Sequence, residues 1–161
     1  MNGIYGLIVS VFIFGMSGCN TSRTVSVADV SARTDYQAGG IYTLQKPAFL
    51  FKHIKSDPDE IPIVSELGFS GTATNLVEFQ EYSKTDSQVA GLLLAGDRIR
   101  VVKFIDNKFI NIGNFLHVIA VVESGGMTGT TVELSMISKK RRPSYDVFVD
   151  LEYLVLEEAE N

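Results

Sequence analysis

Apolar and polar residues alternate with a period of two in several short segments of this 161-residue chain, and this pattern constrains its fold most. The alternation is clear in Arg98–Val101 and Thr131–Met136, and it runs longest in Tyr145–Val155. Because successive side chains of a strand point to opposite faces of a sheet, each segment is predicted to be a strand with one buried and one wet face. Short strands at roughly regular spacing favour an all-β domain, either a small barrel or a β-sandwich.

Interruptions of the alternation predict local irregularities. Ile99 and Val101 are predicted to point inward, and the extra apolar residue Val102 shifts the phase, which indicates a β-bulge. Asp106–Lys108 is a turn candidate that precedes the next strand. The nearly all-apolar stretch Phe115–Val122 is predicted to be a central strand that is buried on both sides.

Two segments fit a helix as well as a strand. Leu76–Tyr82 alternates like a half-exposed strand, and a helix over the same residues is also compatible with its sequence. In the last segment, Leu151, Leu154 and Val155 would share one helical face. The sequence therefore predicts that the chain ends either as a strand or as a short C-terminal helix.

An uncharged apolar run, Ile4–Phe14, precedes several small residues and the only cysteine of the chain, Cys19. A run of this length is typical of the hydrophobic region of a secretory signal peptide, and it is shorter than the ~20 apolar residues that span a bilayer. The small side chains of Ser17 and Gly18 suit the groove of a signal peptidase. We therefore predict a signal peptide over residues 1–18, with cleavage before Cys19.

The segment Met16-Ser17-Gly18-Cys19 resembles the lipobox of bacterial lipoproteins. In that family the cysteine becomes the acylated first residue of the mature protein, so the resemblance implies that Cys19 carries a lipid anchor in the membrane. Asn20 follows the cysteine in place of the aspartate that favours inner-membrane retention, which implies the outer membrane, with the domain facing the periplasm. A lone thiol cannot form an internal disulfide. The alternatives are an uncleaved N-terminal anchor and a plain signal peptide.

The mature chain is predicted to consist of a tether and one domain. Residues 19–38 are rich in Ser, Thr and Ala and are interpreted as a flexible, lipidated tether, with the alternative that the valines form a short strand docked onto the domain. Gly39-Gly40 marks the start of a single β-rich domain over residues 39–161. A domain of this size can bury a core without disulfides or metal ions.

A second, weaker similarity concerns the mature domain. Tyr42–Phe51 followed by Leu93–Val101 resembles the opening of bacterial SH3-like domains, in which a strand with a ligand-side aromatic residue precedes a Gly-polar turn and an alternating strand. In this resemblance, Val132–Leu134 and the aromatic C-terminal segment correspond to the closing strands. The resemblance implies an SH3-like barrel over about residues 41–156.

The formal net charge of −5 lies entirely after residue 18. An acidic chain is a poor candidate for nucleic-acid binding, because such binding depends on Lys and Arg at the phosphates. The basic cluster in the sequence is predicted to be a solvated loop, and, as a binding surface, it would suit anionic lipid headgroups or an acidic partner. Its members are Lys139, Lys140, Arg141 and Arg142.

Tyrosines near loops or strand ends are the other candidates for partner contacts, because their rings can stack on sugars or peptides. These candidates are Tyr42, Tyr82 and Tyr145. The more ordinary interpretation is that such tyrosines line the wet edge of a core.

No catalytic, cofactor or metal motif is recognisable in the sequence. The two histidines, His53 and His117, lie in no known motif, and His117 within an apolar stretch is predicted to be structural. A zinc site needs three or four ligands at characteristic spacings, and a nucleophilic serine needs its own strand-turn-helix motif. We therefore expect no metal, no cofactor and no enzymatic activity.

Together these features predict a lipid-anchored cell-envelope protein that acts as a binding or assembly module for peptidoglycan, a peptide or an envelope protein. The alternative is an inhibitor of a hydrolase, or an envelope enzyme whose motif is not recognised. Small β-barrel lipoproteins that inhibit lysozyme commonly carry a disulfide, which a chain with one cysteine cannot form.

Overall fold

The computed structural model of the protein describes residues 21–52, 59–67, 75–85, 88–109, 113–141 and 145–157. The predicted signal peptide, Cys19, His53 and Arg142 lie outside the described residues. In chain order the strands are β1 (Thr21–Val25), β2 (Ile41–Leu44), β3 (Ala48–Phe51), β4 (Ile63–Glu66), β5 (Val89–Leu93), β6 (Arg98–Phe109), β7 (Gly113–Val122), β8 (Thr131–Glu133), β9 (Lys139–Arg141), β10 (Asp146–Phe148) and β11 (Leu154–Leu156). The helices are α1 (Val27–Val30) and α2 (Leu76–Thr85), and Ser135–Ile137 forms a short 3₁₀ helix. None of the helices in these ranges has the length and apolar composition needed to cross a membrane.

Most of the strands belong to one sheet, whose order is β11-β2-β6-β7-β8-β4-β3-β5. Strand β1 pairs with β6 on the edge that β2 also uses, and β9 and β10 form a separate two-stranded sheet. The pairs are antiparallel except for the contact between β4 and β8. The all-β prediction is confirmed, while the described strands form a path with two ends and no closed barrel.

The hairpin of β6 and β7 supplies the middle of the hydrophobic core. Ile99, Val101 and Phe104 of β6 point inward and are at most 1% exposed. The register of the two strands shifts between Val101 and Lys103, and Val102 at this shift is 45% exposed. The predicted bulge is therefore confirmed, and it lets both halves of a twelve-residue strand face the same core.

Helix α2 occupies the segment whose sequence was compatible with both a strand and a helix, so the strand interpretation of Leu76–Tyr82 is wrong. The side-chain Oδ1 of Asn75 accepts hydrogen bonds from the backbone N–H groups of Val77 and Glu78 at 3.1 and 3.0 Å. These bonds satisfy donors that the first turn of a helix leaves without an internal partner. Phe79 is buried against Phe49 of β3 (ring centroids 5.7 Å apart), which holds the helix on the sheet.

The segment from residue 21 to residue 38 is part of the domain, and the prediction of a flexible tether is wrong for these residues. Strand β1 pairs with β6 from Thr21, opposite Lys108, to Val25, opposite Phe104. Strand β2 covers only the beginning of β6, so the rest of this edge is open to β1. An unpaired strand edge exposes backbone donors and acceptors, which a neighbouring segment can satisfy.

The turn predicted at Asp106–Lys108 is also wrong, because β6 continues through it. Asp106 lies opposite Leu116 of β7 and is only 7% exposed. Its Oδ1 accepts a hydrogen bond from Arg33 Nη1 at 2.9 Å. The polar residues that suggested a turn therefore fit inside the strand, because a segment distant in sequence neutralises the carboxylate.

The longest alternating segment is two strands and not one, and it contains no helix. Strand β10 ends at Phe148 and β11 begins at Leu154. Between them, the N–H of Val149 donates to Asp35 Oδ1 at 2.6 Å, and the N–H of Leu154 donates to the carbonyl of Asp150 at 2.8 Å. These bonds turn the chain so that β11 pairs with β2.

Candidate binding surface

The basic cluster predicted from the sequence forms strand β9, not a loop, as far as residue 141. Its residues Lys139, Lys140 and Arg141 are all exposed. They pair with β10, so that Lys139 lies opposite Phe148 and Arg141 lies opposite Asp146. The hairpin therefore presents three consecutive cations on a fixed backbone.

The contacts of these cations leave their charges at the surface. Lys139 Nζ lies 3.5 Å from Asp150 Oδ1, with 60% of the lysine side chain exposed. The guanidinium carbon of Arg141 lies 4.6 Å from the ring centroid of Phe148, a cation–π arrangement that positions the group without neutralising it. Lys140 Nζ lies 3.7 Å from the Met136 sulfur.

A stacked aromatic pair lies beside the hairpin. The rings of Tyr145 and Phe115 are 4.2 Å apart between centroids and 24° from parallel, and both residues are half-buried. Tyr145 has a φ of 52°, and among the described residues it is the one non-glycine residue with positive φ. Such a conformation costs about 1–3 kcal/mol and persists where the surroundings hold it, often at functional sites.

The three tyrosines predicted to contact a partner lie in different places. Tyr42 is buried (1% exposed), and its hydroxyl accepts a hydrogen bond from the N–H of Gln37 at 2.9 Å, so the prediction that it contacts a partner is wrong. Burial raises the pKa of this hydroxyl above its ordinary value. Tyr82 lies in α2, and its side chain is not among those described. The structure thus brings together Tyr145 and the residues of β9, but not Tyr42.

Phe115 and Phe148 belong to this surface and were missed in the sequence. The sequence predicts that Phe115 lies in a strand buried on both sides, whereas only one face of β7 is buried throughout. Leu116 and Val118 are on that buried face, at most 2% exposed, and Phe115 and His117 are on the other. The presence of one histidine within the apolar stretch was the available signal for this second face.

Arg33 fixes the hairpin to the sheet. Its Nε donates to Asp146 Oδ1 of β10 at 2.9 Å, and its Nη1 donates to Asp106 Oδ1 of β6 at the same distance. Its carbonyl also accepts from the N–H of Val147 at 3.0 Å. Burial lowers the pKa of the guanidinium, but the two carboxylates raise it by more, so it lies above its usual value. Arg33 therefore links the hairpin to the sheet through both its side chain and its backbone, beside the core packing of Val147.

A polar network crosses the same outer face of β7 that carries Phe115. His117 Nδ1 lies 2.8 Å from Glu133 Oε1, and His117 Nε2 lies 3.0 Å from Asn107 Nδ2. Ser135 Oγ donates to the same oxygen of Glu133 and is not bonded to the imidazole. The acid lies between the serine and the histidine, which is not the order of a Ser-His-acid triad. Among the described residues, no group of His, Cys, Asp and Glu is arranged to hold a metal ion.

The network makes the stability of the fold depend on pH through Glu133. Burial raises the pKa of this carboxyl, but hydrogen bonds from His117 and Ser135, together with the charge of Lys140, bring it below its usual value. A carboxyl whose pKa is lower in the folded protein stabilises the fold above its unfolded pKa, and this stabilisation is lost as the pH falls through the folded value.

We expect Glu133→Gln to flatten the acid side of the stability profile. Below pH 4.5, which is the ordinary pKa of a glutamate, the free energy of unfolding should fall with pH less steeply in the variant than in the natural protein. The difference between the two slopes is at most about 1.4 kcal/mol per pH unit. Urea unfolding at a series of pH values measures this slope. The exposed Glu152→Gln is the control and should retain the original slope. A slope that stays unchanged in Glu133→Gln would contradict this role of the carboxyl.

A cleft of about 540 Å³ lies elsewhere on the surface. Its lining combines Lys52 and Lys103 with Asp59 and Glu60. Because charges of both signs lie in the lining, its charge favours neither an anionic nor a cationic ligand. The β9–β10 hairpin, whose exposed charged residues are all cations and lie beside an aromatic pair, is therefore the better candidate surface.

We compared the chain with protein-family models, with curated proteins and with solved structures, and none of them matches it. A function has to be inferred from the chemistry of the residues themselves. The exposed cations of β9, the Tyr145–Phe115 pair and the sequence around Cys19 are the features on which that inference depends.

Proposed function

We propose that the protein is a lipid-anchored protein of the bacterial cell envelope that acts by binding an anionic partner. The binding surface consists of the exposed cations of β9 and the stacked pair of Tyr145 and Phe115. The observation that carries the proposal is the closeness of these two features, because cations provide attraction and orientation while aromatic faces provide contact area. Peptidoglycan, peptides, envelope proteins and phospholipid headgroups can all present anionic groups.

The anchor is Cys19, after removal of residues 1–18. The short apolar run, the small residues before the cysteine and its status as the sole thiol support this assignment. Stable attachment needs more than one acyl chain, because a single chain gives only marginal membrane binding. The location that we propose is the outer membrane, with the domain on the periplasmic side.

Binding is a better proposal than catalysis for two reasons. Both imidazole nitrogens of His117 lie against protein groups, Glu133 and Asn107, which suits a structural role. The cationic hairpin, by contrast, is open to a partner of any size. Confinement of the domain near the membrane raises its effective concentration toward partners in that layer, so even a weak surface is useful. We retain the SH3-like barrel over residues 41–156 as a proposal about the finer architecture.

In-cell crosslinking followed by mass spectrometry tests the proposal. The unaltered protein should have a constant neighbour, and the hairpin variant Lys139→Ser/Lys140→Ser/Arg141→Ser should lose roughly 90% of that crosslinked product, because charge-dependent capture weakens with each cation. The control variant Lys46→Ser/Arg98→Ser/Arg100→Ser removes the same number of exposed cations elsewhere and should keep the product.

The catalytic alternative predicts a different outcome. If the hairpin variant and Tyr145→Ala retain full function in cells while His117→Ala alone abolishes it, an enzymatic role should replace the binding role. Turnover of an envelope substrate, or loss of lysozyme activity on addition of the purified protein, would identify which alternative holds.

A further inference from the structure

One end of the main sheet brings the start of the described chain close to the cationic surface. Thr21, the first described residue, lies opposite Lys108 of β6, and Lys108 lies opposite Asn114 of β7. The next residue of β7, Phe115, stacks on Tyr145 at the start of β10. The beginning of the described chain, the end of the β6–β7 hairpin and the aromatic pair are therefore neighbours.

Cations predominate among the exposed charges at this end, where the exposed carboxylate of Asp29 also interacts electrostatically with Arg23. We call this surface the basic end, and it comprises Arg23, Lys108, Lys140 and Arg141, all of them exposed. Two nearby carboxylates, Asp106 and Asp146, are both 7% exposed and are bound by Arg33. Arg23 also lies 3.9 Å from Asp106. A chain with a net charge of −5 thus carries a local positive surface at one end.

The anchor would hold this end close to the membrane. Cys19 precedes Thr21 by two residues, and two residues span at most about 7 Å when fully extended. This distance is below the Debye length of about 8–10 Å at ordinary salt concentrations. Because β1 is paired with β6, no long flexible segment separates the cysteine from the domain.

We infer that the basic end lies against the bilayer that holds the Cys19 lipid, with its cations on anionic phospholipid headgroups and the Tyr145–Phe115 pair at the interface. This inference rests on the proposed function and names the anionic partner of the same surface. Each Lys or Arg near an anionic membrane raises affinity about fivefold, and tyrosine is favoured at the headgroup level. The domain then has one fixed orientation on the membrane.

A single tryptophan can report this orientation, because the natural chain contains none. Tyr145→Trp keeps an aromatic ring for the stack on Phe115, and Leu94→Trp places the reporter near the opposite end of β6 at a residue that is 49% exposed. Lys108 and Arg98 are ten residues apart in this strand, which corresponds to about 34 Å. Each lipidated variant is reconstituted in phosphatidylcholine vesicles with or without phosphatidylglycerol.

We expect nitroxide-headgroup lipids to quench Tyr145→Trp several-fold more strongly than Leu94→Trp in the vesicles with phosphatidylglycerol. Lys139→Ser/Lys140→Ser/Arg141→Ser should weaken the quenching of Tyr145→Trp but leave it above that of the Leu94→Trp control, because Arg23, Lys108 and the Cys19 lipid still act at the same end. Salt at about 1 M shortens the Debye length to about 3 Å and should have the same effect on the unaltered hairpin. The salt measurement tests whether headgroup charge causes the quenching even if the triple variant does not fold.

Four outcomes overturn the inference. Equal quenching at both positions would mean that the basic end has no preferred orientation to the bilayer. Quenching that is insensitive to salt and to phosphatidylglycerol would exclude headgroup charge as its cause. If Tyr145→Trp is quenched weakly although Cys19 carries a lipid mass, the inference is refuted but the anchor stands. A peptidoglycan or protein crosslink to the hairpin would then identify its partner. Absence of that lipid mass would refute the anchor and this inference together.

Discussion

Replacing Cys19 with serine is expected to abolish acylation completely. The lipobox resemblance implies that a cysteine is the residue that is acylated, so the variant with serine in its place should accumulate as an uncleaved precursor or as a product without lipid. Intact-mass spectrometry of the protein from membranes measures both the N-terminus and the lipid mass. Each buried CH₂ group contributes about 0.8 kcal/mol to anchoring, so the loss of the acyl chains removes most of the affinity for the membrane.

Ser17→Ala is the matched control, because it keeps a small side chain before the cleavage site. It should leave both cleavage and acylation unchanged. A mature N-terminus at another residue, with no lipid mass on Cys19 of the unaltered protein, would contradict the anchor. In that case a plain signal peptide or an uncleaved anchor would be the correct interpretation.

Replacing Arg33 with methionine should destabilise the fold by about 3–5 kcal/mol. The substitution keeps an unbranched side chain but removes the guanidinium that binds both buried carboxylates, Asp106 and Asp146, while Asp106 keeps its 3.9 Å contact with Arg23. A buried charge that loses its partner is costly because it has already lost its hydration. The midpoint of urea unfolding, together with its slope, measures the change.

Two further variants isolate the cause of this loss. Arg100→Met removes an arginine from an exposed pair with Glu123 and should change the midpoint little. Arg33→Met combined with Asp106→Asn and Asp146→Asn removes the uncompensated charges and should recover a large part of the stability. If the single variant is as stable as the natural protein, or if the triple variant recovers nothing, charge compensation is not what holds the hairpin to β6.

The parts of the fold that follow from short-range pattern could be predicted. Ile99 and Val101 alternate with polar residues, and Val102 breaks the phase, so both the strand and its bulge are contained in a few adjacent residues. Alternation depends only on the geometry of an extended backbone, which places every second side chain on the same face. The all-β class follows from the repetition of such segments along the chain.

The candidate binding surface could be predicted only in part, because some of its contacts join residues that are distant in sequence. The run of cations in β9 is visible in the sequence, and Tyr145 was selected with it. The stack of Tyr145 on Phe115 joins residues 30 positions apart, and no local pattern indicates it. Tyr42 was selected on the same grounds as Tyr145, yet the N–H of Gln37 binds its hydroxyl, which compensates for the burial of this polar group.

The sequence by itself determined the all-β class, the strand at Arg98–Val101 with its bulge, the cationic run and the lipobox-like segment around Cys19. Only the tertiary structure decided which strand edges are filled, and β1 shows why. Its residues Thr21–Val25 carry little strand pattern, but they meet the part of β6 that β2 leaves unpaired. Asp106 stays in the same strand because Arg33, far away in sequence, binds its carboxylate. Hydrogen-bonding groups and charges removed from water need partners, and those partners are specified by the folded arrangement and not by neighbouring residues.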